Sequence, residues 1–378
     1  MKKQTLKPKA SFKYLPEKTK IHIVETGISS YKKNIDEFIR AVNAARNKQF
    51  QERSLIYDMY SDVLTIDDVV SSFIDKRIEN IHNKRIVVER NEKPYDDIKY
   101  FIEAPSFKMF LKDILMTKFW GFNLFEFGVK LEESKLWFDY STINHKHVNP
   151  YRMEVLHRQH DQTGTKFEKL PNFMFLGDKN NLGYLVKITL LSLYGRRGMF
   201  NYSRYTDLAG ENFTQLIERD FSDDYHIDEI QNNLNKEGQG GNLSLPEGIE
   251  VSTENSSTSQ QNDLFEGYMD QIRQRLSVLI LGQTMTTEDG SSRSQAEVHQ
   301  SEQDKKYQSD LEYVQDALNY FFVEYLHLWG FENQGVRFKL VPTTQDEIRI
   351  KLNNYEKLRN LGITFTDEEL RETFKDII

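Results

Sequence analysis

A chain of 378 residues has room for two or three sub-domains built on one or two cores. It contains no cysteine, which excludes a disulfide framework, a thiolate nucleophile and a Cys-ligated zinc site, and suits a reducing cytoplasm. The formal net charge of -8 is the reverse of what tight phosphate-neutralising proteins carry, so any nucleic-acid partner is not expected to be gripped.

From the N-terminus, the basic stretch MKKQTLKPKASFKYLPEKTK has no apolar run of the kind an export signal needs, and nowhere do about 18 uncharged apolar residues follow one another, so neither export nor a membrane span is expected. From Asn34 to about Asn83 the spacing is helical. Ile35, Phe38, Ile39 and Val42 share one face, and Thr65 with Asp68 reads as a capping box opening a second stretch that carries Val69, Val70, Phe73, Ile74 and Ile78. A short β-rich run, Arg85–Glu89, ends it. Ser106 is placed to cap a helix bearing Phe110, Leu111, Ile114, Leu115 and Phe119, with Gly121 where a left-handed C-terminal residue belongs. FNLFEFGVK (Phe122–Lys130) and LWFDYS (Leu136–Ser141) then predict a small antiparallel sheet, which Tyr151–Gln159 and the turn Asp161-Gln162-Thr163-Gly164 extend.

Between Gly183 and Phe221 apolar residues return at mixed helical spacing, interrupted by Gly195, Gly198 and Gly210, which predicts one or two helices. Ser222–Asn262 is polar, with GQGGN and ENSSTSQQN around one β-like unit, LPEGIEVS, and by composition is exposed. Helix resumes with Leu264, Tyr268, Ile272, Leu276, Leu279 and Ile280, breaks over Thr284–Ser294, and resumes to Leu328. Along this last helix Tyr307, Leu311, Val314, Leu318, Phe321 and Tyr325 form a seam at spacings of four and three, and Leu311, Val314, Leu318 and Phe322 are expected to bury against other helices. The tail predicts a strand, VRFKLV, a helix with Tyr355, Leu358 and Leu361 that stops at Gly362, and a short helix capped by Thr366 with Glu369.

The chain has no GxxxxGK[ST] loop, GxGxxG, HExxH or GxSxG, so phosphate cradling, zinc hydrolysis and elbow-type acyl transfer have no motif here. His145 and His147 in INHKH can face one side of a strand, but no carboxylate stands at supporting spacing, and a hydrogen-bonded pair is the simpler reading. Asp223, Asp224, Asp228 and Glu229 form an acidic cluster in a Gly-rich segment, which reads as a solvated face before it reads as a metal site. Arg196, Arg197 and Arg204 need no ligand to justify them on an exposed helix. The carboxylates of Thr284–Ser294 lack the alternate-position spacing of a calcium loop.

What remains informative is the order of elements. LPEGIEVS (Leu245–Ser252) followed by a helix ending LILGQTMTTEDGSSRSQAEVH (Leu279–His299) closely resembles the portal proteins of Mu-like phages, in which a Pro-Glu-Gly β-unit precedes a helix closing on a Leu-Gly-Gln-Thr turn. The Asp67–Glu89 pattern, FWGFNLFEFGV after a helix, and YEKLRNLGITFTDEEL near the C-terminus fall where that family has similar stretches, so the likeness runs over roughly residues 50 to 378. One departure stands out: the family places an acid, an aromatic, a glycine and soon a proline before the polar excursion, whereas here Glu211 and Phe213 are followed by Thr214 and Leu216.

The resemblance implies an α+β portal fold, mainly helical with a small antiparallel sheet, divided into wing (1–194), first stem helix (195–221), clip (222–262), second stem helix (263–283), tunnel loop (284–294), a long wing helix (295–332) and a C-terminal wing and crown segment (333–378). It implies a DNA-facing tunnel loop of Thr284, Thr286, Thr287, Glu288, Asp289, Gly290, Ser291, Ser292 and Arg293. For the clip it implies partner docking by Asp223, Asp224, Asp228, Glu229, Lys236 and Glu247. The implied role is a head-to-tail connector without enzymatic activity, cofactor or metal: a ring of twelve copies at one capsid vertex, assembled in the host cytoplasm. Its implied partners are the large terminase, the head–tail adaptor, the major capsid or scaffolding protein, and double-stranded DNA passing without sequence specificity, with no membrane. Two other classes stay open on the residues alone, an adaptor or baseplate ring component and a metal-dependent nuclease; Mg²⁺-dependent DNA cleavage abolished by Asp223→Ala would favour the last.

Overall fold

The computed structural model describes residues 35–47, 52–132, 135–159, 161–209, 214–218, 249–253, 258–282 and 293–342, with 352, 355 and 358–360. The chain divides into two compact units, one of Met1–Leu190 with Leu276–Ile378 and one of Leu191–Arg275. In order, the first unit opens with α1 (Ile35–Arg46), α2 (Ser54–Ile66), α3 (Asp68–His82), β1 (Lys84–Arg90), β2 (Lys93–Pro94), the single turn α4 (Lys99–Ile102) and α5 (Pro105–Trp120). The strands β3 (Phe122–Glu132), β4 (Lys135–Thr142), β5 (Val148–Asn149), β6 (Glu154–Val155), β7 (Thr165–Lys166) and β8 (Phe173–Gly177) follow. Helix α6 (Leu185–Ala209) leads into β9 (Thr214–Glu218) and β10 (Ile249–Thr253), and α7 (Thr258–Leu281) returns. Then come α8 (Arg293–Tyr320), a 3₁₀ stretch Phe322–Trp329 and β11 (Val336–Pro342).

The fold class is α+β and mainly helical, as expected, but the strands form several small antiparallel sheets instead of one: β11-β1-β2, β4-β3-β8, β5-β6-β7 and the ribbon β10-β9. The predicted hairpin is β3–β4, with Phe127 opposite Tyr140 and Val129 opposite Phe138, and β8 pairs on its other side from Phe122↔Gly177 to Glu126↔Phe173. β1 pairs across most of the chain with β11, from Lys84↔Pro342 to Arg90↔Val336. An aromatic core sits where α5 crosses the hairpin. Phe110 lies 5.1 Å from Phe125, 5.2 Å from Phe138 and 5.2 Å from Phe322, centroid to centroid, and Trp329 lies 4.8 Å from Phe101. Edge-to-face rings at such distances add to what burying their area contributes.

Several local expectations shift by a residue or a face. The cap of α3 is Asp67, whose carboxylate accepts from Val70 N–H at 3.0 Å, while Thr65 turns its hydroxyl back to Ser61 O; Asp67 alone leaves helical geometry there. Helix α5 starts one turn-residue earlier, with Pro105 at its first position, and Ser106 instead donates to Phe138 O of β4. In α1 the buried face is Phe38, Ala41 and Ala45, and Ile39 is 51% exposed. The span read as helix up to Phe221 holds one continuous α6 that begins at Leu185 and runs through Gly195 and Gly198, and its end is strand β9. Thr214 and Ile217, β-branched, suit an extended five-residue run once β10 is there to pair with it. Gly121 holds its expected place: its φ is +93° and a Cβ there would meet Asn181 O at 2.2 Å.

Candidate functional site

Within the second unit, α6 and α7 form an antiparallel pair, because a Cβ on Gly195 would lie 3.4 Å from Ile272 and one on Gly198 would lie 2.6 Å from Tyr268. A larger residue at Gly198 would have to push the Tyr268 ring aside. Tyr268 donates from its hydroxyl to Tyr194 O at 3.2 Å, and Tyr202 and Phe265 pack their rings at 5.2 Å. An open groove of about 440 Å³ between the helices is lined by Tyr194, Arg197, Asn201, Leu264, Phe265 and Tyr268. Phe200 is 67% exposed, Leu264 at the rim of the groove 73%, and Met199 is exposed as well, large apolar surface of the kind that marks an interaction site. The ribbon β9–β10 pairs from Thr214↔Thr253 to Glu218↔Ile249.

Within the first unit a buried ionic anchor ties the C-terminal end of α7 to α3, α5 and the middle of α8. Arg77 of α3, 1% exposed, lies in a face otherwise made of Val70, Phe73, Ile74, Ile78 and Ile81. Its guanidinium donates from Nη2 to Asp310 Oδ1 at 2.7 Å, from Nε to Asp310 Oδ2, and from Nη1 to Ile280 O at 2.9 Å. Lys118 of α5 donates to Asp310 Oδ1 at 2.8 Å, and Lys306 of α8 donates to Leu279 O at 2.6 Å. The carbon of the guanidinium sits 5.2 Å from the Phe119 ring centre and 5.7 Å from that of Tyr184. Two cations thus hold one carboxylate with a third nearby, and the carbonyls at the C-terminal end of α7, the negative end of its dipole, take up the excess. Burial, and next to it the positive charge of Arg77, pushes the Lys306 ammonium down to about 8. Gly282, at φ +87°, closes α7 with its N–H on Ser277 O and Val278 O.

Of the residues expected to face DNA, Thr284, Thr286, Thr287, Glu288, Asp289, Gly290, Ser291 and Ser292 lie outside the described residues, and Arg293 is the first residue of α8. The docking candidates Asp223, Asp224, Asp228, Glu229, Lys236 and Glu247 also lie outside them. His145 and His147 occupy a 3₁₀ turn and not a strand. His145 Nε2 is within hydrogen-bond reach of Asn123 Oδ1 (2.7 Å) and Phe122 O (3.0 Å), its ring stacks on Trp120 at 4.0 Å, and burial lowers it to about 3; His147 Nδ1 meets Leu156 O at 3.1 Å. Among the described residues no group of three or more His, Asp or Glu is arranged to hold a metal, and no helix is long and apolar enough to cross a membrane.

Sequence reasoning missed Arg77, Lys118, Lys306 and Asp310. Two of them left a legible signal: Arg77 interrupts the apolar stripe of α3 and Asp310 that of α8, opposite charges at core positions of two helices.

The family model described as the portal protein of Mu bacteriophage matches residues 57–376. No curated protein matches the sequence. Solved structures similar to this chain include an HK97-family phage portal protein from Corynebacterium diphtheriae, 11% identical with a TM-score of 0.45, the match covering 75% of this chain and 95% of that one. Another is a chain from the neck of an empty GTA particle computed with C6 symmetry, 10% identical with a TM-score of 0.47, covering 83% of this chain and 92% of that one.

Proposed function

This chain belongs to the family of the portal protein of Mu bacteriophage, and from that premise we propose that it is one subunit of a ring at a single capsid vertex through which DNA enters the head and later leaves it. The observation that carries the reading is the family match over residues 57–376. The reading extends to twelve copies in the ring, to docking of the terminase and then of the head–tail adaptor through residues 222–262, and to contacts with the capsid or scaffolding protein. In it, residues 1–194 belong to the wing, 195–221 and 263–283 to the stem, 284–294 to the tunnel loop, 295–332 to the long helix behind it, and 333–378 to the outer wing and crown. Its work is geometric and electrostatic, without bond chemistry or cofactor.

Physical features support this. A segment that threads between neighbours gains its burial on assembly, so a polar, Gly-rich 222–262 suits it. The exposed Met199, Phe200 and Leu264 are apolar surface that a ring would cover. An acidic balance lets phosphates slide, where dense Lys and Arg would act as a brake. Electron microscopy of the purified protein, alone at high concentration and together with its capsid and scaffolding proteins, is expected to show rings with a central opening; monomers under both conditions would overturn the proposal.

A further inference from the structure

We propose that the ring contact is heterologous, with the α7 face of one subunit around Gly267 seated on the α6 face around Phe200 of the next. This rests on the ring reading and adds the surface, its polarity and its closest point. The contact face of the helix pair is Gly195 and Gly198 on α6 and Tyr268, Met269 and Ile272 on α7. At 100° per residue, the positions turned away from that face are Arg196 and Phe200 on α6, with Arg197 on the flank that borders the groove, and Asp263, Glu266, Gly267 and Asp270 on α7. Arg197, Phe200, Asp263, Glu266, Gly267 and Asp270 are exposed, and Arg196 is half-buried. Among the described residues none of Arg197, Asp263, Glu266 and Asp270 forms an ion pair, and Arg273 closes the α7 face at its C-terminal end.

One helix therefore presents arginines and a ring, and the other presents carboxylates, on opposite sides of the same unit. Such a surface cannot pair with itself about a two-fold axis without setting like charges together, but it pairs head to tail, the kind of contact that closes into a ring when its rotation closes. The level along the helices also agrees. Gly198 lies beside Tyr268, so in the antiparallel pair Phe200 stands level with residues 266–267. Rotation about an axis running along the helices keeps that level and brings Phe200 of one copy to Gly267 of its neighbour. A mid-helix glycine costs roughly 1 kcal/mol relative to alanine. Within the subunit nothing uses it, since a Cβ on Gly267 would have no heavy atom within 4 Å. A neighbour's aromatic ring lying against that bare backbone gives it a use.

The test uses two charge-reversed full-length proteins, Glu266→Lys with Asp270→Lys, and Arg196→Glu with Arg197→Glu, with circular dichroism and melting to confirm that each subunit folds. Each alone is expected to lose rings by on the order of tenfold or more, because like charges then face each other. An equal mixture is expected to regain them, each α7 lysine face meeting the other variant's α6 glutamates. Gly267→Leu is expected to leave subunit melting unchanged or higher and to abolish rings. If wild type never forms rings, the portal reading itself fails. If wild type forms rings and the variants do so equally well, or if folded variants stay apart in the mixture, the interface proposed here is wrong.

Discussion

Arg77 and Asp310 stand 233 residues apart and both are almost fully buried, so their desolvation has to be offset by each other and by their remaining partners. The offset is lopsided. Arg77 and Lys118 share one carboxylate and Lys306 lies within its electrostatic reach, so Asp310 is the member whose loss leaves the most uncompensated charge. Asp310→Asn is expected to destabilise the subunit by about 3–5 kcal/mol, the usual cost of orphaning a buried charge. Lys118→Met, at a partly exposed member that leaves Arg77 on Asp310, is expected to cost about 1 kcal/mol or less. Denaturant midpoints of the two variants check the order; equal losses would show that the carboxylate is not the keystone.

At the scale of elements, the seam of α8 offers two adjacent phenylalanines at its C-terminal end, of which the structure buries one. Val314 and Leu318 are buried as the spacing of three and four requires, and Leu311 is half-buried. A step of three from Leu318 selects Phe321 and a step of four selects Phe322; Phe322 is fully buried, as expected, whereas Phe321, placed in the same seam, is 46% exposed. The inward row therefore runs Val314, Leu318, Phe322 at steps of four, and the backbone passes into 3₁₀ geometry at Phe322. Phe322→Ala is expected to cost about 3–5 kcal/mol, because the ring fills the space between Phe107, Phe110 and Trp329. Phe321→Ala is expected to cost about 0.5 kcal/mol. Thermal melts of both are the check. The same helix shields the outer edge of β11: Asn319 exchanges hydrogen bonds with the Phe338 N–H and carbonyl, and Gln315 accepts from Leu340 N–H, so this edge is closed to other strands.

For the whole molecule, the proposed function asks that DNA pass without being held. Thr284–Ser294 contains no aliphatic side chain larger than Met285 and carries Glu288, Asp289 and Arg293 between α7 and α8, which the ionic anchor ties together. On the proposed function, Glu288→Lys with Asp289→Lys leaves expression and ring assembly near normal, raises DNA affinity and slows packaging, with added salt relieving both effects as counterion competition returns. Packaging at the wild-type rate in low salt, with no gain in DNA affinity, would remove 284–294 from the channel.

The sequence by itself determined most element types, the polar excursion at 222–262 and the family, because turn residues, β-branched runs and spacings of three and four are local properties written in neighbouring positions. It also placed Phe110, Leu111, Ile114, Leu115 and Phe119 in the core, where they are. Only the tertiary structure decided that β1 finds its partner in β11, that Thr214–Glu218 is a strand, that Arg77 meets Asp310, and which faces of α6 and α7 turn away from each other. Each of those depends on what stands opposite a residue in space. A run such as TQLIE reads equally well as the end of a helix until a strand is there to take its hydrogen bonds, and a lone arginine in an apolar stripe reads as an error until its carboxylate arrives from the far end of the chain.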